Sequence, residues 1–165
     1  MCDQGAMNSL TVTQPLAGLI SDGVHRLQVR VYYEDTDFTG VVYHANYLKF
    51  LERGRSDFLR LMGIAHHEMA RLSDPLAFAV SDLHILYKRP ARIDDLVEVR
   101  TEIKGLKGAQ VLIEQGIERE GQTICTARLS VVLIDAEGRP RRIPEPARSL
   151  LTSVVNVKSG GENAP

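Results

Sequence analysis

One stretch limits the folds open to this chain more than any other: a single long amphipathic run, Asn46 to Met62, set among segments of period two. Tyr47, Phe50, Leu51, Phe58, Leu61 and Met62 recur at three- and four-residue spacing. Lys49, Glu52, Arg53, Ser56, Asp57 and Arg60 fall mostly on the other side, the pattern of a helix with one buried face. Gly54 sits on the apolar stripe, where it costs about 1 kcal/mol relative to Ala. A glycine there is expected where a sheet wraps tightly around the helix. Gly63 follows as a C-cap, and residues 65–72 read as one or two further helical turns ended by Ser73-Asp74-Pro75.

Ahead of this run, from His25, Leu27, Val29, Val31 and Tyr33 alternate with Arg26, Gln28, Arg30 and Tyr32, the mark of a half-buried strand. Behind it, Phe78 to Lys88 is mostly apolar and is expected to be a central strand. Leu96 to Lys104 alternates cleanly and ends in a turn at Gly105 to Gly108. Ala109 to Arg119 and Gln122 to Ile134 form a hairpin through Glu120-Gly121, a dipeptide suited to positive φ, with the last strand well inside the sheet. One helix cannot cover both faces of five strands. The expectation is an α+β chain in which a five-stranded antiparallel sheet wraps around one long central helix, the hot-dog fold. The other sheet face is then solvated or docked to another subunit. Residues 1–22 read as a flexible N-terminal tail, 23–147 as the domain, and 148–165 as a C-terminal tail with at most one helical turn.

The bulk numbers exclude more than they assign. A length of 165 residues suits one core, and 44% hydrophobic with 25% charged residues is an ordinary globular composition. A net charge of −1 supplies no overall positive field to attract nucleic acid. The two cysteines, Cys2 and Cys125, have neither disulfide context nor metal-ligand spacing, so no metal is expected. No apolar run is long enough to span a bilayer, and the N-terminus lacks the basic and apolar regions of a signal peptide; the expectation is a cytoplasmic protein with no transmembrane segment.

The chemistry concentrates between the first strand and the helix. Three carboxylates (Glu34, Asp35, Asp37), Gly40 and His44 lie there, more polar groups than a simple connection needs. The string Tyr33-Glu34-Asp35-Thr36-Asp37-Phe38-Thr39-Gly40-Val41-Val42-Tyr43-His44-Ala45-Asn46-Tyr47 is followed by Phe50-Leu51-Glu52 and Arg55. Together with the block Tyr87-Lys88-Arg89-Pro90-Ala91-Arg92-Ile93-Asp94-Asp95, it resembles the signature of the 4-hydroxybenzoyl-CoA thioesterase family. Within that family it is most similar to the YbgC-type acyl-CoA thioesterases encoded with the Tol-Pal envelope system, over roughly residues 25–140. The resemblance implies a homodimer, often paired into a homotetramer, that hydrolyses acyl-CoA thioesters, with CoA as part of the substrate and no cofactor. By position Asp37 matches the family's catalytic aspartate, and His44 stands where this subgroup carries histidine. Phe38-Thr39 departs from the small residues common between that aspartate and the glycine, which bears on acyl preference.

The residue chemistry is consistent with that reading. Thioester hydrolysis needs an activated water or a carboxylate nucleophile, and donors for the developing oxyanion. Asp37 suits either first role. Backbone N–H groups around His44 and Ala45, at the helix start, suit the second, and Gly40 lets the turn bend and substrate approach. For His44 two roles stay open: orienting substrate or water beside Asp37, and hydrogen-bonded packing. Glu34 and Asp35 read as structural or solvated. Tyr43 and Tyr47 read as packing at the helix start and as walls of an acyl pocket. Ser56 and Asp57 lack a histidine at a spacing that supports nucleophilic chemistry; His66-His67 reads as a polar helix face, and His84 as a core or interface histidine.

For the CoA phosphates the leading cations are Lys88 and Arg89, and the cluster Arg139, Arg141 and Arg142. No phosphate-binding glycine loop or dinucleotide fingerprint is present. The alternative function is a non-catalytic hot-dog module that binds acyl thioesters or acyl carrier protein, basic patches being suited to an acidic partner. A dehydratase of similar fold would carry a histidine-helix signature that this sequence lacks.

Overall fold

The computed structural model of the chain describes residues 16–156. In chain order the elements are strand β1 (Leu19–Ser21), β2 (Val24–Arg30), a 3-10 turn (Tyr33–Asp35), helix α1 (Asn46–Leu61), a short α2 (His66–Met69), β3 (Ala77–Tyr87), β4 (Leu96–Lys107), β5 (Gln110–Arg119), β6 (Gln122–Ile134) and α3 (Ala147–Asn156). All strands join one sheet in the order β1-β2-β4-β5-β6-β3, every pair antiparallel. The sheet wraps α1, as expected, with one strand more than expected. Among the described residues no helix is long and apolar enough to cross a membrane.

The registers explain why the core sits where it does. Leu27, Val99 and Ile117 lie side by side across β2, β4 and β5, and Ile113 faces Leu129 across β5 and β6. Because side chains alternate, these positions share the face that meets α1. There Phe50, Leu51 and Tyr47 pack on Val97, Val99, Ile117 and Ala127, while Phe58 meets a second cluster with Ile113, Val131 and Leu151. Gly54 lies at the tightest approach. A Cβ built on it would stand 2.7 Å from Val99 Cγ1 and 3.0 Å from Thr101 Oγ1, so the glycine on the apolar stripe is there for proximity to the sheet. At the helix end, Gly63 takes φ +78 and donates to the Arg60 carbonyl while Ile64 donates to Leu59, the paired bonds of a Schellman cap.

Four features differ from the sequence expectation. β3 is at the sheet edge and not at its centre. Its apolar residues face α1 on one side only, and a bulge between Val80 and Asp82 brings Phe78, Val80, Leu83 and Ile85 to that side. β4 runs through the predicted turn at Gly105 to Lys107, its register shifted between Ile103 and Gly105. β1 lies inside the segment read as a tail and pairs with β2 through Asp22-Gly23 (φ 52 and 71). α3 lies inside the other one, with Leu151 fully buried among the second cluster. Packed structure therefore extends beyond both boundaries of the segment 23–147; residues 1–15 and 157–165 of those tails lie outside the described residues. The Glu120-Gly121 hairpin is as expected, with φ 51 and 75.

One residue assigned to the polar side of the helix is buried. Asp57 accepts from the Gly18 N–H (2.7 Å), shares a 2.8 Å hydrogen bond with His25 Nε2, and meets Arg60 Nη1 at 3.3 Å. It fastens the approach to β1 onto α1.

Candidate active site

The loop between β2 and α1 is a built structure. Asp35 is buried: its carboxylate accepts from the Tyr32 N–H (2.9 Å), and its carbonyl accepts from the Tyr43 N–H and from Asn46 Nδ2, both at 2.9 Å. Asp35 thus ties the start of the loop to the start of α1, while Glu34 is exposed. Residues 36–42 then form a small hairpin. Thr36 pairs with Val42, Asp37 N–H donates to the Val41 carbonyl (2.9 Å), and Gly40 turns the tip at φ +77. This hairpin is stitched to the segment after β3 by the Val41–Arg92 bridge and by the Val42 N–H on the Ala91 carbonyl (2.8 Å).

Asp37 stands exposed on this hairpin. Its Oδ1 accepts from the Thr39 hydroxyl (2.6 Å) and from the Thr39 N–H (2.8 Å). The Thr39 hydroxyl, followed by the Thr39 N–H, holds the carboxyl below its ordinary value against the opposing effect of desolvation; His44 contributes more weakly in the same direction. His44 is exposed at the helix start, its ring 4.5 Å from that of Tyr43. Its carbonyl accepts from the Tyr87 hydroxyl at 2.8 Å.

Helix α1 begins at the far end of this loop, just past His44. Asn46 N–H is taken by the Tyr43 carbonyl and Leu48 N–H by Ala45, but no hydrogen bond among the described residues uses the N–H of His44 or Ala45. Free donors at the positive end of a 16-residue helix are suited to an oxyanion. Asp37, Gly40, His44 and Ala45 thus lie on one loop, with the charge on His44 reaching the Asp37 carboxyl.

Other expected residues are placed differently. Tyr47 is 3% exposed, packed against Phe50 and Tyr87, and its hydroxyl accepts from the Ala91 N–H at 2.9 Å. Burial pushes its phenol up. It anchors the segment that carries the hairpin and belongs to the core instead of an open pocket wall, because its ring lies on the buried stripe of α1. Tyr43 is about half exposed. Lys88 and Arg89 are exposed beside the stitched segment, both backbone N–H groups donating to the Ile124 carbonyl (2.8 and 3.1 Å) and Arg89 Nη1 to the Thr123 carbonyl (3.1 Å).

The cluster 139–142 is not beside them. It follows Ile134, whereas Tyr87 pairs with Cys125, and the intervening length of β6 separates the two clusters by about 30 Å. Arg139 is committed to Asp135 (3.0 Å) and Glu137 (2.7 Å), and Arg141 to Asp74 (2.6 Å) and Asp135 (3.3 Å). Within one chain only the Lys88-Arg89 end adjoins the loop.

Sequence reasoning missed three neighbours. Thr39 was weighed only for acyl preference, although Asp-x-Thr is a turn in which both Thr donors can reach the aspartate. Tyr87, within the strand-end block, holds the helix start through His44. His66 Nε2 comes within 3.3 Å of Ser56 Oγ, a pairing that spacing alone gave no reason to expect; the Gly63 turn folds it back. The Ser56 hydroxyl donates to the Glu52 carboxylate, so its proton points away from His66, the reverse of an activated nucleophile. His84 is exposed on β3.

An antiparallel sheet wrapped around one long helix is the hot-dog thioesterase fold. The thioesterase-like superfamily matches residues 31–151, and this chain belongs to it. The acyl-CoA thioester hydrolase YbgC of Escherichia coli O6:H1 is 40% identical over 124 residues, 73% of this chain and 90% of that protein. The acyl-CoA thioesterase YbgC of Haemophilus influenzae is 44% identical over 107 residues, 65% of this chain and 78% of its own length. The crystal structure of a probable thioesterase from Bartonella henselae is 46% identical and superposes with a TM-score of 0.72, covering 73% of this chain and 99% of that one.

Proposed function

We propose that this chain hydrolyses acyl-CoA thioesters to the free acid and CoA, with Asp37 as the reacting carboxylate and the N–H groups of His44 and Ala45 as donors to the carbonyl oxygen. The observation that carries the reading is an exposed carboxylate held in its ionised form, within reach of the charge on His44, on the loop that leads into free donors at a helix N-terminus. The acyl-CoA thioesterases at 40% and 44% identity supply the substrate class.

Two routes fit these groups. As general base, Asp37 takes a proton from a water whose oxygen adds to the thioester carbon; the tetrahedral adduct expels CoA thiolate, and that proton reaches the sulfur. As nucleophile, Asp37 expels CoA thiolate to form an anhydride, which water then cleaves. In both, negative charge grows on the carbonyl oxygen, where fixed donors act most strongly. In one turnover in labelled water, label in the Asp37 carboxylate identifies the anhydride route, because water that opens the anhydride at the aspartyl carbon leaves its oxygen there. His44 orients water or substrate beside Asp37, Tyr43 borders the acyl group, and Lys88 and Arg89 meet the CoA phosphates. The 139–142 cluster stands apart from this assignment within one chain.

The half-exposed apolar residues of edge strand β3, among them Val80 and Tyr87, support association of two copies, read by light scattering on the eluting protein. Tetramer formation, acyl carrier protein as a partner, a cytoplasmic location and the Tol-Pal association rest on the family resemblance alone. The test is a panel of acyl-CoAs with a free-thiol readout on wild type and Asp37→Asn. The expected result is turnover of at least one acyl-CoA and a loss of at least about 100-fold in kcat for Asp37→Asn, with KM little changed. Tight acyl-CoA binding with no thiol release by the wild type favours the non-catalytic module instead.

A further inference from the structure

We propose that Thr39 is a positioning residue that clamps the Asp37 carboxylate, occupying Oδ1 and presenting Oδ2 to water or to the thioester carbon. The inference rests on the reading of Asp37 given above. Two Thr39 donors, the hydroxyl at 2.6 Å and the N–H at 2.8 Å, converge on the same oxygen. A carboxylate oxygen offers two lone-pair sites, so Oδ1 is filled, while Oδ2 takes no protein donor among the described residues.

The clamp acts from a fixed base. The Asp37 N–H on Val41, the Gly40 N–H on the Asp37 carbonyl (3.0 Å) and the two bridges at Thr36 and Val41 hold the backbone on which both residues stand. On an exposed loop an unrestrained aspartate rotates among rotamers. The Thr39 hydroxyl, bonded to Oδ1, fixes the carboxylate in one of them. Any residue at this position would supply the N–H; the hydroxyl is the specific contribution of Thr39.

The direction of the effect separates positioning from basicity. The hydroxyl favours the ionised carboxyl, so its removal raises the Asp37 pKa, moves the acid limb of activity to higher pH and makes Asp37 a stronger base. A role through basicity alone makes a variant without the hydroxyl as fast as wild type or faster at neutral pH. A positioning role makes it slower.

The experiment measures kcat and KM against pH for the full chain as wild type, Thr39→Val, Thr39→Ser and Asp37→Asn, with the acyl-CoA turned over best. Thr39→Val is expected to lose about tenfold in kcat with KM little changed, the scale of one hydrogen bond to a charged group, and to shift the acid limb upward. Thr39→Ser keeps the hydroxyl and is expected to restore both. A side-chain carbon NMR titration of Asp37 reads the same shift without turnover. An unchanged kcat and acid limb in Thr39→Val, with Asp37→Asn inactive, overturns the clamp and leaves Asp37 standing. A Thr39→Ser as slow as Thr39→Val also overturns it, because the methyl contact then matters and not the hydroxyl. Wild-type turnover by Asp37→Asn overturns the reading of Asp37 and the clamp with it.

Discussion

Gly54→Ala puts the wrapping of the sheet around α1 to a direct test. On an open helix the change stabilises by about 1 kcal/mol, the difference in helix propensity. Here the new methyl lands 2.7 Å from Val99 Cγ1, about 1 Å inside ordinary carbon–carbon contact. Val99 has no easy retreat: it is 0% exposed, and β4 is held there by Leu27 of β2 on one side and Ile117 of β5 on the other. The same methyl lies 3.4 Å from Gln115 Nε2, which donates to the Leu51 carbonyl (2.9 Å) and to Thr101 Oγ1 (2.8 Å) beneath the helix. Overpacking of this kind costs about 1–3 kcal/mol. Set against the propensity gain, the expected net effect is a destabilisation of about 1 kcal/mol, or about 2–4 °C in Tm for a chain of this size. Val99→Ala alone costs about 2 kcal/mol through lost burial. In the double variant the new methyl occupies the space that Val99 vacates, so the two changes couple favourably by about 1–2 kcal/mol. Urea unfolding at one fixed protein concentration measures all four corners of the cycle. Gly54→Ala more stable than wild type, or additivity within about 0.5 kcal/mol, refutes the close approach.

Two further perturbations read other parts of the molecule. Burial pushes the Cys125 thiol up to about 12, so in a Cys2→Ser background the folded protein is expected to resist a thiol reagent at pH 8 and to react fully in denaturant; rapid labelling of the native state contradicts the burial. Hydrogen bonds from Arg139, first its backbone N–H, hold the Asp135 carboxyl below its ordinary value. The unfolded chain binds the proton more tightly there, so this stabilisation is complete above the ordinary carboxylate pKa and is lost as pH falls through the lower folded value. Asp135→Asn is therefore expected to lower Tm at pH 7, with the gap to wild type narrowing as the pH is taken below about 4; a gap that stays constant refutes the linkage.

Much of the fold is legible in the residues because its determinants are local. The three- and four-residue spacing from Tyr47 to Phe58 needs only a helix to be explained, and Glu120-Gly121 needs only a tight turn. Gly54 goes further, since a glycine on a buried stripe already implies a close neighbour. The candidate site is legible for the same reason: Asp37, Gly40, His44 and Ala45 lie in one short segment whose polar density exceeds the needs of a connection. β1 escapes because three residues carry no readable period, and α3 because its stripe is short: Ala147, Leu151, Val154 and Val155.

What tertiary structure alone decides is order and distance. An apolar run reads the same in a central strand as in an edge strand that turns one face to a helix, so β3 could be assigned to the edge only once β6 paired with it. Arginines at 139–142 and cations at 88–89 look equivalent as charges; the length of β6 holds them apart, and Asp135 and Asp74 already pair with Arg139 and Arg141. The Thr39 hydroxyl on Asp37 and the burial of Tyr47 depend on where a side chain points after the loop is fastened to Ala91 and Arg92. Periodicity and residue type determined that this chain is a sheet around a helix with its densest run of polar groups in one loop. Which groups within that loop stay exposed was decided by contacts between segments distant in the chain, and those leave no periodic trace in a single sequence.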